Sequence, residues 1–172
     1  MSVIDETVQA NRAYAHSFNL GHLPMPPTRK LAIVACMDAR LTVEQILGLK
    51  TGDAHIIRNA GGIVTEDALR SLLISHYLLG TQEFMIINHT DCGMLTFKDE
   101  ELRTRLQGQS GTAVVAPLHF HAFSDLEQNV REQIQKVKSH PWIPKEVPVR
   151  GFIYDVKTGL LTEVASSRGE QG

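Results

Sequence analysis

Apolar residues along the chain fall into short runs separated by turn residues, and the spacing inside each run indicates the element it favours. Residues 2 to 18 mix Val3, Ile4, Val8, Ala10, Tyr14 and Phe18 with polar neighbours in a loose helical stripe, which ends before Gly21 and the Pro24, Pro26, Pro27 cluster. This predicts an N-terminal helical arm and linker over residues 1–27. Leu31 to Cys36 (LAIVAC) is a continuous apolar run between Lys30 and the polar MDAR, the pattern of a strand buried on both faces. Ala54 to Arg58, after a Gly52-Asp53 turn, and Phe84 to Asn88, after Gly80, predict two further strands. Val149 to Tyr154 reads as a fourth, and Leu160 to Val164, after the Lys157-Thr158-Gly159 turn, as a fifth.

Helical patterns lie between these strands. Val43 to Leu49 is one, and Glu66 to Leu79 is a second, with Leu69, Leu72, Leu73 and Leu79 on one apolar face. Thr65 suits its N-cap, Glu66 and Asp67 suit the positive end of its dipole, and Gly80 can close it. A third is predicted to start at Ser124, where Ser124 and Glu127 read as a capping box, with Leu126, Val130, Ile134 and Val137 at helical spacing and Pro141 as its stop. Strands alternating with helices at these lengths imply parallel pairing through right-handed crossovers. The expected fold class is therefore α/β, a three-layer sandwich around a central, mostly parallel sheet, as a single domain over residues 1–172. In such sheets ligands bind beyond the carboxyl ends of the strands, where Cys36 and His89 fall.

Composition narrows the classes without naming one. A 42% hydrophobic and 21% charged chain of 172 residues is ordinary for one globular domain. It has no apolar run of about 18 residues and starts with polar MSVIDETVQANR, so a soluble, cytoplasmic protein is expected. A formal net charge of -2 supplies no basic field for nucleic acid or an anionic membrane, which leaves small molecules as the expected partners. The two cysteines, Cys36 and Cys92, are too few for a secreted disulfide framework.

His89-Thr90-Asp91-Cys92 sets an imidazole and a thiol where a turn leaving a strand could aim both at one point, and Cys36 would complete two thiolates and one imidazole. Zinc accepts that set, and three protein ligands with an open fourth position characterise a catalytic site. Taken singly, each cysteine favours the reading of a small buried hydrophobe and His89 that of a hydrogen-bonded turn residue. Asp38 and Arg40 follow Cys36 at spacings that let a carboxylate reach the same pocket while a guanidinium holds it. Gly93 leaves room beside Cys92 for a small substrate, and Gly61 and Gly62 permit a tight loop at the same rim, although plain turn chemistry explains all three as well. His119 and His121 are read as rim residues.

Cys36-Met37-Asp38-Ala39-Arg40 followed by His89-x-x-Cys92 resembles the C-x-D-x-R and H-x-x-C signature of the β-class carbonic anhydrases, supported by Arg58-Asn59-Ala60-Gly61-Gly62 and Cys92-Gly93. The resemblance runs from about Leu31 to Val164 and is strongest to the short microbial branch. It implies one zinc ion per chain on Cys36, His89 and Cys92 with water in the fourth position, and reversible hydration of carbon dioxide by zinc-bound hydroxide. Two thiolates neutralise the metal's charge and so acidify its water less than a three-histidine site does. The resemblance assigns the compensation to Asp38, which accepts the hydroxide hydrogen, and to Arg40, which keeps Asp38 ionised and off the metal. It also implies a homodimer, or a higher assembly of dimers, joined through the N-terminal arm. Relatives on the same scaffold hydrolyse carbonyl sulfide or carbon disulfide, and the ligands do not separate these substrates. A non-catalytic zinc-binding or redox-sensing module is the remaining alternative. Where some members carry a tryptophan of a regulatory bicarbonate site, this chain has Ile33.

Overall fold

In a computed structural model that describes residues 1–111 and 119–165, the longest apolar runs become the middle of one sheet. β1 (Leu31–Cys36) is buried along almost its whole length, because its alternate side chains feed two separate cores. β2 (Ala54–Asn59) and β3 (Glu83–His89) flank it, and β4 (Val149–Tyr154) and β5 (Leu161–Val164) follow, in the order β2-β1-β3-β4-β5. All pairs are parallel except β4 with β5, a hairpin closed by the Asp155 to Leu160 turn.

The chain runs outward from β1 to β2, then reverses to β3 on β1's other side. Right-handed crossovers require successive helices to change face at such a reversal. α2 (Val43–Leu47) accordingly packs with Ile33, Ala35 and Ile87, while α3 (Glu66–Leu79) and α5 (Leu126–Lys138) cover Ala32, Val34, Phe84 and Ile86 on the opposite face. These are the three layers, with the α2 face thinly covered: Ile56 and Met85 there are only partly buried. The crevice opened by the reversal lies between the carboxyl ends of β1 and β3. Burial of a residue such as Ile33 or Ile86 contributes about 1.5–3 kcal/mol each, which is why the central strands hold their register.

Thr65 caps α3 through its side chain, which accepts from the Ala68 amide, and Gly80 ends the helix in the left-handed region. The capping box expected at Ser124 is not formed. Asp125 is the cap of α5, its carboxylate accepting from the Gln128 amide, and the helix begins at Leu126. Asp125 is the stronger acceptor and sits one residue closer to the apolar face. α4 (Asp99–Ser110) has no counterpart among the predicted elements; it buries no residue and carries only Leu102 and Leu106 as large apolar side chains. α1 (Val3–Ser17) forms as expected, capped by Ser2, yet it too buries none of its residues. Val3 and Ile4 are 74% and 73% exposed, so its apolar stripe faces away from the core of its own chain.

Candidate metal centre

β1 ends on Cys36 and β3 on His89, two neighbouring parallel strands paired up to Ala35 and Ile87. Their last side chains therefore emerge together at the crevice. After His89 the chain makes a tight turn through Asp91, at φ 54, and returns with Cys92, which precedes a single 3-10 turn at Gly93–Leu95. The Thr90 amide bonds the Tyr154 carbonyl, and its hydroxyl accepts from the Val156 amide, fixing the turn to the end of β4. The ligand atoms of Cys36, His89 and Cys92 all lie within 4.8 Å of one another, and all three residues are buried.

The donor set fits a metal ion by its own chemistry. His89 is fully buried, and its Nδ1 lies 2.8 Å from the Thr90 carbonyl. A carbonyl can only accept, so Nδ1 carries the hydrogen and Nε2 presents its lone pair. That Nε2 is a buried polar atom with no hydrogen-bond partner, the only such side-chain atom among the described residues. A buried acceptor without a partner is costly, and a cation between it and two sulfurs removes the cost. Two sulfurs and one imidazole nitrogen are a zinc-type donor set.

The electrostatics agree. Hydrogen bonding to Cys92 pulls the Cys36 thiol down to about 4, against burial, with His89 and the Asp38 and Gly61 amides helping. The same contact with Cys36, together with burial, pushes the Cys92 thiol up. Burial lowers the His89 pKa, but its contacts with Cys36 and the Thr90 carbonyl outweigh it, and the net direction is upward. The lowered Cys36 thiol and the raised His89 imidazole both favour positive charge within the cluster, which a metal cation supplies.

Arg40 forms a fork on Asp38. Its Nε bonds Oδ1 at 2.9 Å and one terminal nitrogen bonds Oδ2 at 2.8 Å, while the Arg40 amide also donates to Oδ1. These bonds hold the Asp38 carboxyl well below the usual carboxylate range. Oδ2 lies 3.7 Å from His89 Nε2, at the edge of the donor cluster. The other terminal nitrogen donates to the Asp91 carboxylate at 2.8 Å, and the nitrogen on Oδ2 also donates to the Asp91 carbonyl at 3.0 Å, so one side chain ties the β1 loop to the turn carrying Cys92. Arg58, at the end of β2, bonds the Cys36 and Asp38 carbonyls and fixes the backbone between them. Asp91 and Arg58 lie inside the motif segments, but nothing in those segments marked either side chain for this role.

Gly61 and Gly62 form a left-handed turn packed under Cys36, and the Gly61 amide points at Cys36 Sγ at 3.4 Å. Gly62 faces inward, and Gly93 borders open space, where an added Cβ would meet nothing within 4 Å. Leu41, Met94, Phe123 and Val156 make the surroundings apolar. His119 and His121 pair with each other, ring centroids 6.0 Å apart, and His121 lines a separate groove of about 950 Å³ along α3 with Tyr77 and Trp142.

Buried donors that could hold a metal ion, gathered at the reversal of a parallel sheet, mark an α/β protein with a candidate metal site, and residues 31–161 match the profile of the carbonic anhydrase family. The chain belongs to that family, in its β class. It is 46% identical over 165 residues to β-carbonic anhydrase 1 of Mycobacterium tuberculosis, covering 95% of this chain and 99% of the relative. The crystal structure of a carbonic anhydrase from Streptococcus mutans superposes with a TM-score of 0.90 at 45% identity, covering 96% of this chain and 99% of the other. A carbon disulfide hydrolase of Saccharolobus solfataricus is 36% identical over 181 residues, covering 92% of this chain and 87% of the relative.

Proposed function

We propose that this chain catalyses the reversible hydration of carbon dioxide to bicarbonate and a proton, with one zinc ion held by Cys36, His89 and Cys92. The observation that carries the reading is the buried, unpartnered Nε2 of His89 set among two sulfurs, beside a carboxylate held ionised by arginine. Bound there, zinc would supply a Lewis acid that makes water nucleophilic near neutral pH. The chain's residues do the rest. Asp38 Oδ2, an obligate acceptor as the anion, would accept a hydrogen bond from the reacting water and so fix which lone pair faces the substrate. Arg40 keeps that carboxylate from swinging onto the donors by holding both its oxygens. Leu41, Met94 and Phe123 exclude bulk water and suit an apolar substrate as small as carbon dioxide. Gly93 leaves the approach open, and Gly61 and Gly62 shape the floor under Cys36.

The similarity to the mycobacterial carbonic anhydrase is higher and more complete than that to the carbon disulfide hydrolase, which favours carbon dioxide as substrate. A redox or storage module has no use for the Asp38–Arg40 fork. No helix among the described residues is long and apolar enough to cross a membrane. Free thiol ligands suit the reducing cytoplasm, where we place the protein. The uncovered stripe of α1 suits a homodimer in which each arm packs on the partner. Stopped-flow proton release from carbon dioxide, run beside hydrogen sulfide release from carbonyl sulfide and carbon disulfide, tests the reading. Zinc-loaded protein without carbon dioxide turnover rejects it, and sulfide release alone transfers the assignment to the hydrolases.

A further inference from the structure

Three side-chain amides, all buried, form a closed and directed circuit behind the metal centre. It starts at the Val64 amide, which donates to Gln133 Oε1 at 2.9 Å. Gln133 Nε2 donates to Asn129 Oδ1 at 2.9 Å, and Asn129 Nδ2 donates to Asn88 Oδ1 at 2.6 Å. Asn88 Nδ2 then returns to the same loop, donating to the carbonyls of Gly61 and Gly62 at 2.9 and 3.3 Å. Both ends of the circuit are backbone groups of fixed sense, a donor at Val64 and acceptors at Gly61 and Gly62. Every amide along the way is therefore locked in one orientation. Asn129 and Gln133 sit four residues apart on α5, which cannot slide: a Cβ on Gly151 of β4 would lie 2.4 Å from Val130 and 2.6 Å from Ile134. From the other side, the Asn59 side chain brackets Ile63, accepting its N–H at 2.8 Å and donating to its carbonyl at 2.7 Å.

What this clamped loop presents to the site is a single group, the Gly61 N–H aimed at Cys36 Sγ. A hydrogen bond to a thiolate withdraws electron density from sulfur and makes it a weaker donor, so its metal is a stronger Lewis acid. We propose that Asn88, Asn129 and Gln133 act together as positioning residues for the metal centre: their amide circuit sets the Gly61 N–H on Cys36 Sγ and thereby the donor strength of that sulfur. A core built only for stability would fill these positions with aliphatic side chains, as Val130 and Ile134 fill their neighbours on α5. The inference rests on Cys36 being a metal ligand, as proposed above.

Near-isosteric changes test it. In Asn129→Asp the oxygen facing Asn88 can only accept. Asn88 must then turn over, which brings its own oxygen against the Gly61 and Gly62 carbonyls and pushes the loop off Cys36. Gln133→Glu sends the same mismatch along the circuit more gently, because Lys136 Nζ lies 3.2 Å from the Gln133 oxygen. Two quantities are read on protein loaded with cobalt(II) or zinc: the sulfur-to-cobalt charge-transfer band, and zinc affinity by chelator competition. Both variants should move the band to longer wavelength, as a stronger sulfur donor does, and shift zinc affinity from the parent value by about tenfold, the lower end for residues that orient ligands. Val137→Ala, a cavity in the same helix outside the circuit, should lower stability and leave both readings at the parent values. The proposal is overturned by parent-like band and affinity in both circuit variants, by an equal shift in Val137→Ala, or by failure of both circuit variants to fold, which would make the amides structural only. A parent protein with no charge-transfer band would instead remove Cys36 and Cys92 as ligands, a different failure.

Discussion

Gly62→Ala puts a number on how tightly the loop is set against Cys36. Gly62 has φ +62, and an ideal Cβ there would stand 2.8 Å from Asn88 Nδ2, 3.0 Å from the Cys36 nitrogen and 3.0 Å from the Ile87 carbonyl oxygen. Two of those three obstacles are backbone atoms of β1 and β3, which cannot rotate away. Gly80 is the natural control, with φ +74 and nothing within 4 Å of its Cβ position. Both alanines bear the cost of the left-handed region, about 1–2 kcal/mol. Only Gly62→Ala adds overpacking, typically about 1–3 kcal/mol. For a chain of this size the extra term corresponds to a melting temperature about 2–12 °C below that of Gly80→Ala. Thermal melts of the two variants, with zinc content measured on each before heating, read the difference. Relief of the clash has to move Cys36 or Asn88, so zinc occupancy should fall in Gly62→Ala and hold in Gly80→Ala. Equal melting temperatures and full zinc in both would show that Gly62 serves only the turn.

Cys36→Ser and Cys92→Ser should each lose zinc and carbon dioxide hydration together, and full zinc by elemental analysis in both variants would reject the ligand set. Asp38→Asn should retain zinc and lose about 10²–10⁴-fold in stopped-flow turnover, the range of positioned acid, base and orienting groups, whereas a mere salt bridge would leave turnover near the parent rate. Arg40→Ala frees Asp38 from its fork, so X-ray absorption on the zinc-loaded variant should show a carboxylate oxygen beside the metal. A chain starting at Thr28 should aggregate or unfold, and a soluble, fully active monomer would end the role given to the arm. Burial opposes the ionisation of Asp99, yet the amides of Ala122, Phe120 and His121 bond its carboxylate and hold its pKa below the ordinary value. Its stabilisation is thus complete above about pH 5 and is lost as pH falls through the carboxylate range, and Asp99→Asn should flatten that acid limb in urea unfolding.

The strands and α3 were legible because apolar runs such as LAIVAC are bounded by unambiguous turn and cap residues, Thr65 and Gly80 among them. α4 was not, since Leu102 and Leu106 are its only large apolar residues and two positions set no apolar period to read. The Cys36, His89, Cys92 cluster was visible as strand-end placement, and the structure brings its donors together. The grip of Arg40 on Asp91 joins residues from two motif segments, and nothing in the spacing of either segment encodes it. The amide circuit left a fainter trace: Asn129 and Gln133 sit at the helical period of the apolar face they interrupt. Polar residues at buried helix positions are the signal that would have found them.

The reversal of the chain between β2 and β3 also governs when a metal can be captured. Cys36 and His89 belong to adjacent strands, yet β2 and α3 lie between them in sequence. Their donors converge only after β1 and β3 have paired, a non-local contact that forms late because a long loop must first be closed. A zinc ion bound as proposed would therefore meet a finished sheet and could not template it. It would act as a clasp across the two central strands, adding up to RT ln(1 + [Zn]/Kd) to the stability of the native state. The apo chain should fold by itself, and the loaded one should chiefly unfold more slowly, since the clasp is absent from any transition state in which those strand ends are still apart.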